Sequence, residues 1–128
     1  MEADKEILSR LIARLKAEEF DTSINGDIAK LIGWTFEKMK GHRVPYWRAP
    51  GERREYMRDL SPPKYTESLD AAVSFAKTMH SDCTWSIFYD GASLWTPEVG
   101  NIWFGGSPAL SLIIVTLIAK LREMGEEI

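Results

Sequence analysis

The sequence predicts an α+β fold: a three-layer α/β/α sandwich around a mainly antiparallel sheet of about five strands. Three observations predict it. Apolar residues recur at helical spacing near both ends of the chain and again in the middle. Short runs of strand formers are bounded by Gly, Pro and Asp-Gly turns. Helices come before, between and after the strands, in the order α-α-β-β-α-β-β-β-α, so that each sheet face has helices at hand to bury it.

The first helix is predicted over residues 4–19, where Ile7, Leu8, Leu11, Ile12 and Leu15 form an apolar stripe opposite Glu6, Arg10, Arg14 and Lys16. After a break at residues 22–26, Ile28, Leu31 and Ile32 mark a short second helix. Gly33 stands where a left-handed C-terminal cap is expected. Trp34, Phe36 and Lys38 alternate with Thr35, Glu37 and Met39, the period of a half-buried strand. Gly41 turns the chain into a partner strand over residues 43–49, which Pro45 confines to a sheet edge or a bulge.

Residues 50–64 hold Pro50, Gly51, Pro62 and Pro63 around six charged side chains and are predicted to be a mobile loop. A third helix follows, capped by Thr66 or Ser68, with Asp70 in its first turn, and it ends near His80. Residues 84–89 are rich in strand formers, and Asp90-Gly91 is a two-residue hairpin signal. The return strand spans residues 92–99. Gly100-Asn101 turns into a third strand at Ile102-Trp103-Phe104. Ser107-Pro108 reads as an N-cap followed by proline at the first helical position. The last helix carries eleven nearly unbroken apolar residues from Ala109 to Ala119, against roughly 20 needed to cross a bilayer. They require cover on most sides, from the sheet and a neighbouring helix or from another subunit.

The 128 residues fit one domain over 1–128, and 45% hydrophobic content supplies a core without metal or disulfide. A single cysteine, Cys83, excludes an internal disulfide framework and suits a reducing cytosol. The opening Met1-Glu2-Ala3-Asp4 does not read as a signal peptide. Composition excludes disorder, collagen, a coiled coil and a membrane-spanning chain.

The net charge of −3 is unevenly spread. Residues 1–36 carry five basic and seven acidic side chains, and residues 59–128 carry four and nine. Between them, residues 37–58 carry seven basic and three acidic side chains, a local +4. Local field rather than net charge steers an anionic ligand, so this island is a candidate binding segment. Tyr46 and Trp47 lie within it beside Arg48, and Arg53, Arg54 and Arg58 follow. Aromatics interleaved with arginines stack bases and neutralise phosphates. The plainer reading is that Tyr46 and Trp47 anchor an edge strand while Arg48 is solvated. For Trp34, Trp85, Trp95 and Trp103, all in predicted strands, core or interface packing is the expectation.

Three segments taken together resemble the phage ABA sandwich domain family of small bacteriophage and prophage proteins. They are Ile28-Ala29-Lys30-Leu31-Ile32-Gly33-Trp34, Pro63-Lys64-Tyr65-Thr66-Glu67-Ser68-Leu69-Asp70-Ala71-Ala72 and Ser107-Pro108-Ala109-Leu110-Ser111-Leu112. The resemblance spans roughly residues 5–123 and departs at the basic stretch around residues 52–58. It implies a three-layer fold and a phage or prophage product working in a bacterial cytoplasm. It carries no catalytic set, so no functional residue is transferred from it.

Candidate catalytic residues are few. His42 lies in a turn and His80 at a helix end. His80, Asp82 and Cys83 are close in sequence, but zinc ligands arrive as spaced pairs from two segments, and no second cluster stands in the sequence. His80 reads as a helix C-cap and Cys83 as a small buried hydrophobe. No metal or cofactor is expected. Gly106 and Ser107, at the start of the last helix, present backbone N–H groups suited to a phosphate or carboxylate, against the plainer reading of an ordinary capped start.

The function expected is that of a non-enzymatic phage accessory protein that binds a partner. The partner is an anionic nucleotide or nucleic acid at the basic aromatic loop, or a host defence protein that it blocks. The apolar helix over 108–124 is a further expected surface, for homo-oligomerisation. The alternatives are a small enzyme acting on a nucleotide, with His42 or His80 as general base, or a structural homo-oligomer subunit.

Overall fold

The computed structural model describes residues 2–20, 23–37, 46–51 and 61–125. Its nine elements follow the predicted order: α1 (Glu2–Lys16), α2 (Ile24–Lys30), β1 (Thr35–Glu37), β2 (Tyr46–Arg48), α3 (Leu69–Met79), β3 (Thr84–Phe88), β4 (Gly91–Thr96), β5 (Gly100–Gly105) and α4 (Pro108–Glu123). The fold is mixed α+β, with four helices and two antiparallel sheets among the described residues.

Among the described residues the strands do not join into one sheet of five. β1 and β2 form a two-stranded ribbon, and β3, β4 and β5 form a separate sheet in the order β3-β4-β5. β1 and β2 pair with each other, whereas β3 to β5 are a meander whose tight turns bring neighbours in sequence into register. Asp90-Gly91 does place a turn between β3 and β4, with Phe88 opposite Gly91. The second turn lies over residues 97–99 and not at Gly100-Asn101. Gly100, at φ +87°, opens β5 there, and Pro97 lies in the turn, where its missing N–H takes nothing from the ladder. Trp34 stands just before β1, half-buried, and gives its N–H to the Ala29 carbonyl at 3.2 Å.

Helix α4 is the centre of the molecule. Every residue from Ala109 to Ala119 is buried, and so is Leu121. One side of α4 packs on β4, β5 and β3, and the rest of its circumference meets α3 and α1. This is why its apolar residues are not confined to one stripe. Of the surface expected to join copies of the chain through residues 108–124, Ala109 to Ala119 and Leu121 are covered by the chain's own elements. A fully buried Leu such as Leu117 contributes roughly 1.5–3 kcal/mol by leaving water, and α4 holds several.

The flanking helices are built as their sequences dictate. Leu8, Leu11, Ile12 and Leu15 of α1 are buried, while Ile7 at the edge of the stripe is 52% exposed. Ser68 caps α3, its Oγ accepting from the Ala71 N–H at 3.2 Å. α2 starts at Ile24, inside the break expected over residues 22–26, and ends at Lys30, so Leu31 and Ile32 lie in the turn that follows and Gly33, at φ +100°, takes its left-handed position. Among the described residues, no helix is long and apolar enough to cross a membrane.

Candidate functional site

Because α4 occupies one face of the β3–β4–β5 sheet, alternate side chains must point the other way. Ala92, Leu94 and Thr96 of β4 and Ile102 of β5 are buried on the α4 side. The opposite parity carries Thr84, Ser86 and Phe88 on β3, Ser93 and Trp95 on β4, and Asn101 and Trp103 on β5. On that outer face Phe88 is 47% exposed, Trp95 45% and Trp103 50%, with Tyr89 almost fully exposed in the adjoining turn.

The register arranges these aromatics. Phe88 lies opposite Gly91, which lies opposite Gly105, so one row of the sheet has a single side chain and two glycines. The Trp103 indole fills the space above those glycines, close to both. Phe88 meets Trp103 edge-on, with ring centroids 5.3 Å apart and planes at 73°. Trp95 stands one row further, between Thr84 and Asn101. The result is an aromatic surface set among small neutral polar residues. The segment over residues 81–107 contains three acidic side chains (Asp82, Asp90 and Glu98) and no basic one.

The residues expected to form an anion site are placed differently. Tyr46 pairs with Glu37 in the β1–β2 register. Trp47 packs against α2 and is half-buried: a Cβ on Gly26 would stand 2.5 Å from its ring, Phe36 lies 4.8 Å away between centroids, and Lys30 Nζ is 5.9 Å from the ring centre. Its indole anchors the ribbon. Arg48 Nε donates to Glu37 Oε2 at 2.7 Å, across the ribbon from Thr35. The Thr35 hydroxyl, 2.6 Å away, and then the Arg48 guanidinium hold the Glu37 carboxyl below the usual carboxylate range. Arg53, Arg54 and Arg58 lie outside the described residues, as do His42 and residues 52–60 of the loop.

At the start of α4, the Gly106 N–H is already spent on the Asp90 carbonyl at 2.8 Å, and the Ser107 side chain makes no cap hydrogen bond. Gly106, at φ +148°, serves the strand-to-helix turn. One donor expected for a ligand is therefore a structural bond.

His80 is buried between α3 and α4, with Nε2 3.0 Å from the Thr116 carbonyl and Nδ1 3.5 Å from Glu123 Oε1. Both ring nitrogens face partners within the fold, which leaves neither aimed at a substrate. Cys83 is half-buried with its thiol 3.7 Å from the Ala76 carbonyl, and burial pushes its pKa up. Among the described residues, no three His, Cys, Asp or Glu side chains gather closely enough to hold a metal ion.

Trp95 and Trp103, for which the sequence predicts core or interface packing, are the most exposed tryptophans described, which leaves them outside the core. Their signal was present as parity: Leu94 and Ile102 are the inward neighbours of Trp95 and Trp103, so both sets cannot face the same layer. Comparison with protein-family profiles, curated proteins and solved structures returns no match for this chain.

Proposed function

We propose that this protein is a binding module, not an enzyme, and that it holds a protein partner on the open face of the β3–β4–β5 sheet. The observation that carries this reading is the exposure of Phe88, Trp95 and Trp103 together on one rigid face. Large aromatics dominate the energetics of protein interfaces, and a face fixed by a buried helix loses little freedom when it binds. The acidic, lysine- and arginine-free stretch over residues 81–107 favours a neutral or basic partner over nucleic acid.

The nucleotide reading rested on the basic aromatic segment. Trp47 is packed on Gly26 and Arg48 is bonded to Glu37, so within the described residues these two are engaged in the fold, and the remaining basic side chains of the segment lie outside them. The resemblance to phage ABA sandwich proteins supports an accessory role in a bacterial cytoplasm, with a host defence factor as the partner class. A helix of that partner laid on the outer face would complete the three-layer α/β/α arrangement that the sequence predicts.

Site-specific photocrosslinking in bacterial cells tests this reading. Benzoylphenylalanine in place of Trp95 is expected to give one discrete protein adduct, and in place of the exposed Ala13 on α1 to give none. The partner identified from the adduct, once purified, should lose at least about tenfold in affinity for Trp103→Ser, a loss of 1.4 kcal/mol or more. No adduct at position 95, equal adducts at both positions, or unchanged affinity in the variant overturns the proposal.

A further inference from the structure

On the side of α4 away from the sheet lies a cleft of about 830 Å³, bounded by α1, the end of α2, and the C-terminal ends of α3 and α4. It exists because α1 and α2 pack little against each other, though Arg14 Nη1 bridges to Asp27 Oδ2 at 2.7 Å. Its volume falls in the range of small-molecule sites, about 300–1,000 Å³.

Two features of the lining select a ligand. The floor and walls are largely apolar, including the buried Leu11, the half-buried Leu31 and Met79, and Ile7, 52% exposed at the edge of the α1 stripe. Methionine adapts to an irregular apolar guest. The charged groups stand around this apolar surface, four cations against two carboxylates. Arg14 and Asp27 largely cancel in their own bond, which leaves Arg10, Lys30 and Lys120 against Asp4. Arg10 and Lys120 keep the Glu6 and Glu123 carboxylates of their own helices at 3.9 and 3.8 Å, Lys30 Nζ lies 5.9 Å from the Trp47 ring centre, and the Arg10 side chain is 78% exposed.

We infer that this cleft binds an amphipathic anion, a molecule with one apolar chain and a carboxylate or phosphate head. The chain displaces water from the apolar floor, and the head stays at the wet, cationic rim where its charge is kept solvated. A neutral lipid finds the same floor but leaves the rim unmatched. A small hydrophilic anion finds the rim but gains nothing from the floor. The site shares no residue with the sheet face, so the two readings stand or fall separately.

Isothermal titration of the full chain, at concentrations where no micelles form, tests the inference with three probes. Decanoate is expected to bind once per chain, decanol at least about tenfold more weakly, and acetate not at all. Ile7→Trp, at a position that is not in the core, fills the cleft and should abolish decanoate binding while the circular dichroism spectrum stays unchanged. Arg10→Gln with Lys30→Gln should weaken decanoate about tenfold and leave decanol as it was. Trp103→Ser should change nothing, which distinguishes the cleft from the aromatic sheet face. The inference is overturned if decanol binds as tightly as decanoate, if Ile7→Trp binds like the parent, or if decanoate does not bind.

Discussion

The indole of Trp103 rests on the bare backbone of Gly91, where a Cβ would stand 2.6 Å from its Cη2 atom. The glycine and the tryptophan are in neighbouring strands, and each makes the other's conformation possible. Without a side chain at 91 the β4 backbone is open on its outer side, and the indole covers it as aromatic rings cover glycines in other sheets.

Gly91→Ala is accordingly expected to destabilise the fold by about 1–3 kcal/mol, the cost of overpacking a fitted site. A Cβ there would also press on the Phe104 carbonyl oxygen, which belongs to the backbone and cannot swing aside. The double variant Gly91→Ala, Trp103→Ser should therefore remain less stable than Trp103→Ser alone. Urea midpoints of the four proteins check this, and full recovery in the double variant would place the whole effect in the indole.

Ser111 offers the opposite case. Its Oγ is buried in α4 with no hydrogen-bond partner among the described residues, next to the space that Gly106 leaves at the helix start. An unpaired buried hydroxyl costs about 1–3 kcal/mol of desolvation, and alanine is the better helix former. Ser111→Ala should hold or raise the thermal midpoint, whereas loss of stability would mean that the hydroxyl has a partner in solution.

Glu37 gives a pH signature. Its folded pKa lies below the ordinary value of 4.5, through the Thr35 hydroxyl first and Arg48 after it. A carboxyl shifted down stabilises the fold above its unfolded pKa, and the contribution is lost as pH falls through the lower, folded value. The side chain is well exposed to solvent, so the readout is the titration itself rather than a melting curve. Carboxyl NMR should place the Glu37 midpoint below 4.5, and Thr35→Val and Arg48→Gln should each raise it. An unchanged midpoint in Thr35→Val would remove the hydroxyl as a cause.

All nine elements and their order were readable from local chemistry: the Ser68 and Ser107-Pro108 helix starts, the Gly33 stop and the Asp90-Gly91 turn. These signals act over a few residues and leave marks in the sequence. The association of strands was not readable in the same way. β1 and β2 pair with each other, and Trp47 of β2 is seated on Gly26 of α2, a contact between distant segments that leaves no local mark in the sequence. The outer sheet face was hidden for a related reason. β4 and β5 carry large apolar side chains on both parities, Leu94 and Ile102 on one and Trp95 and Trp103 on the other. Hydropathy alone cannot choose between them, and α4 makes the choice by packing against the aliphatic side.

The central place of α4 also has a consequence in time. The sheet, α1 and α3 all use as their common support a segment that is translated after every one of them. Until residues 108–123 have emerged from the ribosome, the earlier elements have no shared core on which to settle. Consolidation therefore waits for the last helix, and a chain interrupted before residue 108 exposes the inner sheet face and two helical stripes at once, a natural target for chaperones and proteases.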